Sequence, residues 1–146
     1  MVRAFRKINY SFRIIFRALI PILKGKLLVI KDKLLNWTGI KFIVFQRQNM
    51  KSTHELSGGQ KSILALSLIF SILIFKAAPF YILDEIDAAL DFCNAKNISG
   101  LILESFSFAQ FIIVSLKKQL ILNADVVFEV KQSFEKSIVT RLMKTN

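Results

Sequence analysis

Residues 56–85 read LSGGQKSILALSLIFSILIFKAAPFYILDE, and this stretch decides the fold. It begins with Leu56-Ser57-Gly58-Gly59-Gln60 and passes through thirteen uncharged residues, Ile63 to Phe75, whose only polar members are Ser67 and Ser71. It closes on Phe80-Tyr81-Ile82-Leu83 followed directly by Asp84-Glu85. The thirteen-residue run falls short of the roughly 20 residues a bilayer span needs. It therefore predicts a deeply buried helix that opens near Ser57 and ends before Pro79. Adjacent glycines let backbone amides approach a ligand closely, and the first turn of a helix leaves N–H groups without partners. With the Ser57 hydroxyl, residues 57–60 make a corner suited to phosphate, although a Ser-Gly-Gly turn that merely caps a helix has the same sequence. The run 80–83 predicts a short buried strand with both carboxylates at its mouth, where parallel sheets bind ligands. Asp84 there suits a divalent cation and Glu85 is free to orient or deprotonate water, although two neighbouring acids after a strand also occur by accident.

Outward from this stretch, buried strand candidates alternate with helices. Phe5, Ile8, Phe12, Ile15, Phe16 and Leu19 recur at helical spacing, with Arg3, Arg6, Lys7, Arg13 and Arg17 between them, so Met1 to Leu19 reads as an amphipathic helix stopped near Pro21. The Phe/Ile stripe has ample apolar partners downstream, which favours packing over a membrane surface. Leu27 to Ile30 and Ile40 to Phe45 predict strands, with a turn at Trp37-Thr38-Gly39 and a polar loop over Gln46 to His54. Asn97 to Phe106 predicts a helix and Phe111 to Val114 another buried strand. Asp125 to Lys131 and Ser137 to Leu142 predict a terminal hairpin. The class is α/β: a mostly parallel sheet packed with helices, plus that hairpin.

The chain has 146 residues, one domain's worth, and 53% of them are apolar, fourteen being phenylalanine, which excludes intrinsic disorder. A single cysteine, Cys93, excludes an intrachain disulfide framework, and a single histidine, His54, excludes a His-rich metal centre or a Ser-His-Asp triad. The first twenty residues interleave Arg and Lys with apolar positions, so the expectation is an intracellular protein with no secretory leader. The net charge of +11 resides wholly in residues 1–51, which hold twelve Lys/Arg against Asp32 alone. Such a block favours nucleic acid or an acidic surface. It is also what a composition of 15 lysines to 6 arginines produces through codon bias.

Taken together, the motifs resemble the C-terminal half of an ABC-type ATPase head. LSGGQ at 56–60 matches the signature motif, YILDE at 81–85 the Walker B strand and AALD at 88–91 the D-loop. The form is that of the SMC family of chromosome proteins, of condensin type. DEIDAALD at 84–91 lacks the proline that transporters carry after the glutamate, and the switch position holds Ser115 instead of histidine. QFIIVSLKKQLILNADVVFEV at 110–130 and SIVTR at 137–141 extend the resemblance, and NYSFRIIFRALIP at 9–21 is similar to the segment joining coiled coil to head. The resemblance implies a linking helix at 1–24 and the C-terminal head lobe at 25–146. It implies ATP and Mg²⁺ as ligands. Asp84 then binds the metal, Glu85 is the general base and Ser115 senses the γ-phosphate. Ser57, Gly58, Gly59 and Gln60 close on nucleotide held by an opposite head, and Asp91 connects the two sites.

Some features depart from that family. Lys61 replaces the arginine that usually follows the signature glutamine, Gln46 to Asn49 replaces an Asn-Gly-Lys turn, and the pattern over Pro21 to Lys26 is eroded. The chain has no G-x-x-x-x-G-K-[ST] stretch, long heptad arm or hinge. The implied partners are an N-terminal Walker A lobe (in the same chain or another), a partner SMC head, a kleisin subunit and DNA, with no membrane. The implied location is the nucleus and its chromosomes, and the isolated chain is expected not to hydrolyse ATP. The residues leave two alternatives open: the lobe of a DNA-repair SMC relative or transporter, or a non-catalytic remnant that binds partner proteins.

Overall fold

The apolar stripe and basic face of the N-terminal segment do form a helix, α1 (Val2–Leu19), in the computed structural model, which describes residues 2–34 and 36–142. Met1, Leu35 and residues 143–146 lie outside the described residues. Phe12, Ile15, Phe16 and Leu19 are buried, and the Phe12 and Phe16 rings stack at 5.7 Å. They close on strand β1 (Leu23–Lys31) at Gly25, where a Cβ would stand 2.7 Å from Phe16 Cδ1. Glycine is needed here for close approach of helix and strand. The Leu27 N–H donates to Asn9 Oδ1 at 2.9 Å, pinning α1 to β1.

Strand β1 pairs antiparallel with β2 (Trp37–Gln46), and β2 with β3 (Asn49–Lys51). Two expectations change. Trp37 to Gly39 are strand residues, and the turn is built on Asp32, whose Oδ1 accepts from the Leu34 and Asn36 N–H groups at 2.9 and 2.8 Å. The backbone N–H of Asn36 holds the Asp32 carboxyl below its ordinary range against an opposing desolvation, with the Asn36 side chain and Leu34 N–H adding to the lowering. The carboxylate captures the chain earlier than Gly39 could. Trp37 is then free to pack edge-on to Phe5 at 5.3 Å. Within 46–54, Asn49 to Lys51 pair with β2, and Thr53–Glu55 form a 3₁₀ turn.

Helix α2 (Gly58–Phe75) begins at the Ser57 cap and packs along α1. Its length and composition pass for a membrane span, yet Ile63, Leu64, Leu66, Ser67, Phe70 and Ser71 are buried in the protein core. Each buried hydroxyl donates to the carbonyl four residues back, Ser67 to Ile63 at 2.7 Å and Ser71 to Ser67, so neither is left unsatisfied. The helix is not buried all round: Ile69, Ile72, Ile74 and Phe75 are exposed. Among the described residues one of its faces meets α1, Tyr81 and Phe106.

Strand β4 (Phe80–Asp84), helix α3 (Phe92–Ser105) and strand β5 (Gln110–Val114) form a β-α-β unit with parallel strands, Tyr81 opposite Phe111 and Asp84 opposite Val114. Helix α3 starts five residues earlier than 97 because Asp91 caps it, accepting from Asn94 N–H at 2.8 Å. Tyr81, Phe106 and Phe111 cluster beneath the pair, with ring centroids 4.9–5.9 Å apart. Strands β6 (Val127–Ser133) and β7 (Lys136–Leu142) make the terminal hairpin. The α/β class and hairpin match the sequence reading. Among the described residues the parallel component is the single pair β4–β5, while β1–β2–β3 is antiparallel, since tight turns join its strands where crossover helices are absent.

Candidate functional site

Strand β4 carries Asp84 out to the open end of the parallel pair. Both it and Glu85 are exposed there. Glu85 leaves the strand with φ 46°, a left-handed conformation rare for a side chain of its size, and its N–H donates to Val114 O at 3.0 Å. That bond ties the acid pair to the end of β5, one residue before Ser115. Backbone strain held in place by neighbouring structure is a property of functional sites.

Ser57 and Gln60 form a reciprocal capping box. Gln60 N–H donates to Ser57 Oγ at 3.3 Å, and Ser57 N–H donates to Gln60 Oε1 at 3.1 Å. The cap reading of LSGGQ is therefore realised, and it fixes the corner that the phosphate reading needs. Gly58 faces open space, and a Cβ there would meet nothing within 4 Å. Gly59 is different: its Cβ would stand 3.2 Å from Ala89 O, so a bare backbone seats the helix start against residues 88–91.

The structure thus joins the predicted residues in two contacts. Asp84 pairs with Val114 and Glu85 N–H donates to Val114 O, one residue before Ser115, and Gly59 meets Ala89. Asp91 is less available than the sequence suggests, because its two carboxylate oxygens accept from Asn94 N–H and Asn94 Nδ2. Ser115 is also engaged: its Oγ donates to Asp87 Oδ2 at 2.6 Å and accepts from Lys117 N–H at 2.9 Å.

Asp87 and Lys117 were not singled out by the sequence. Asp87 is only 2% exposed, and Lys117 Nζ donates to Asp87 O at 2.7 Å and to Leu90 O. A signal existed for Asp87, an acid set between the apolar residues Ile86 and Ala88.

No cluster of three metal-ligating side chains exists among the described residues. A magnesium ion held by one carboxylate, water and substrate phosphates needs no such cluster, and exposed Asp84 fits that mode.

Similarity to known proteins gives this arrangement its class. Over 97% of its length the chain superposes, with a TM-score of 0.82 and 34% identity, on a structure from work on ATP-driven dimerization and DNA-stimulated activation of SMC ATPases, covering 86% of that chain. It also superposes on an Smc head bound to the C-winged helix domain of ScpA, with a TM-score of 0.85 and 34% identity over 97% of this chain and 44% of that one. The fold is that of an SMC ATPase head. The profile for the RecF/RecN/SMC N terminal domain matches residues 22–139, and the chain belongs to that family. It is 44% identical over 143 residues, 97% of its length, to mitotic chromosome and X-chromosome-associated protein mix-1 of Caenorhabditis elegans. It is 47% identical over 127 residues, 86% of its length, to structural maintenance of chromosomes protein 2 of Dictyostelium discoideum. The chain spans 11% of the length of each of these relatives.

Proposed function

We propose that this chain is the C-terminal half of a condensin-like SMC ATPase head, with residues 1–24, which include α1, as the segment linking head to neck and 25–146 as the lobe. The observation that carries the reading is the exposed Asp84–Glu85 pair at the mouth of parallel strand β4, with the Gly59 corner of α2 seated on the adjoining 88–91 segment. An N-terminal Walker A lobe, in cis or as a separate chain, supplies the phosphate cradle. The open face of β4–β5 supports such a partner: Phe80, Ile82, Ile112 and Val114 alternate along it at 48–64% exposure.

In the assembled site Asp84 would hold Mg²⁺, which when bound would supply charge neutralisation for the phosphates. Glu85 orients the attacking water and takes its proton. Ser115 hydrogen-bonds the γ-phosphate of the same ATP, for which its Oγ must leave Asp87. The Gly58 and Gly59 N–H groups and Ser57 face the ATP of the opposite head, with Gln60 fixing the corner. Asp91 holds the start of α3 and with it the segment between the two sites. Chemistry then requires head engagement, and hydrolysis favours release.

Relatives named for chromosomes support a role in chromosome condensation and a location on chromosomes in the nucleus. The Smc head bound to ScpA supports a kleisin-type partner. The basic exposed face of α1, with Arg3, Arg6, Arg13 and Arg17, supports DNA, and the reading involves no membrane. The experiment is Glu85→Gln in a complex of this chain, its Walker A lobe and the partner head. Turnover is expected to fall by about 100-fold or more, with ATP-dependent engagement of the heads retained. Wild-type turnover in that variant contradicts the general-base role.

A further inference from the structure

The bend from Glu85 to Asp91 joins β4 to α3 and lies between the strand-end acids and the α2 corner. Its own backbone supplies two bonds, Ala88 N–H to Glu85 O at 3.1 Å and Leu90 N–H to Asp87 O at 3.0 Å. Its ends are held by Glu85 N–H on Val114 O and by the Asp91 cap of α3, and its middle by the segment just past β5. Ser115 Oγ donates to the buried Asp87 carboxylate, and Lys117 Nζ reaches the carbonyl oxygens of Asp87 at 2.7 Å and of Leu90, with Ala88 O at 3.5 Å. An ammonium has three donors and no acceptor, so three converging carbonyls match it. Bonds from a charged donor are also stronger than those between neutral groups. Another carbonyl of the same bend, Ala89 O, lies against Gly59.

We propose that Lys117 is a positioning residue for the composite ATPase: its ammonium clamps the carbonyls of Asp87, Ala88 and Leu90, fixing the bend that seats Gly59 and keeps Glu85 at the strand end. The catalytic half of this proposal rests on the composite-ATPase reading above, whereas the clamp itself does not. Lysine is suited to it because a compact charge on a flexible stem meets carbonyls from several directions, and the planar fork of arginine does not. The segment just past β5, which carries Ser115, is thereby linked mechanically to the α2 corner.

Amide exchange in the full chain, followed residue by residue, tests the clamp without nucleotide. In Lys117→Met, Ala88 and Leu90 are expected to exchange about tenfold faster or more, while α2 keeps its protection. In Lys117→Arg the increase is smaller and confined to the same bend. If Lys117→Met loses protection throughout, Lys117→Arg decides. Faster exchange at Ala88 and Leu90 alone supports the clamp, and wild-type exchange at both overturns it.

In the reconstituted complex, Lys117→Met is expected to lower kcat about tenfold with KM for ATP within about twofold, and Lys117→Arg to recover part of the loss. Unchanged kcat overturns the catalytic half of the proposal. A wild-type complex without turnover overturns the composite-ATPase reading and the catalytic half with it, and the exchange result still decides the clamp.

Discussion

The α1–β1–β2 half of the molecule and the β4–α3–β5 half spend the same kinds of residue differently. In the first, Phe12, Phe16, Leu23 and Val44 are almost completely buried, and Gly25 lets helix and strand close to contact. In the second, Tyr81 and Phe106 are buried beneath the strands, while Phe80, Ile82, Ile112 and Val114 stand exposed on the other face. Parallel strands are ordinarily covered on both faces. The helix–strand contact of the first is closed, whereas one face of the parallel pair is left open; Asp84, Glu85 and Asp91 lie on the second, while Ser57 to Gln60 begin α2, outside both.

The contrast breaks most readily on its closed side. Phe16→Ala is expected to cost about 3–5 kcal/mol, a large part of the stability of a domain this size, measured by denaturant unfolding. A loss under about 1 kcal/mol would mean that the α1–β1 contact is dispensable. On the open side, Ile82→Asp is expected to change the chain's own stability by only about 1 kcal/mol. The same change is expected to weaken association with the Walker A lobe about tenfold or more, because it buries an unpaired carboxylate at the joint. Undiminished association would show that the other lobe does not use this face.

Much of this was legible in the sequence because local signals agreed with the tertiary outcome. The α1 stripe, the Ser57 cap and the Phe80–Glu85 run each specify one element and its boundary. The Trp37–Gly39 turn was misplaced because Asp32 makes the turn with its carboxylate, a side-chain device that competes with the glycine signal. The thirteen-residue apolar run reads as buried throughout, yet half of α2 faces outward. Hydrophobicity records that a surface is to be covered, not whether the cover comes from the same set of residues.

At the site, the acids and the glycine corner announce themselves by type and spacing. The Asp87–Ser115 and Lys117 contacts join residues 27 to 30 positions apart, and no local pattern encodes them. Asp91 illustrates the converse. Its motif position was visible, but its occupation by the α3 cap emerges only from the fold.

The central claim is that this chain is one half of a composite ATPase site. Its most direct test is steady-state ATP turnover by the chain alone, then mixed with its Walker A lobe and the partner SMC head. Turnover that appears only in the complete mixture, and disappears with Glu85→Gln, is the predicted result. Turnover by the chain alone would contradict the account, as would an inactive mixture in which the chain is folded and the partner lobe and head are competent.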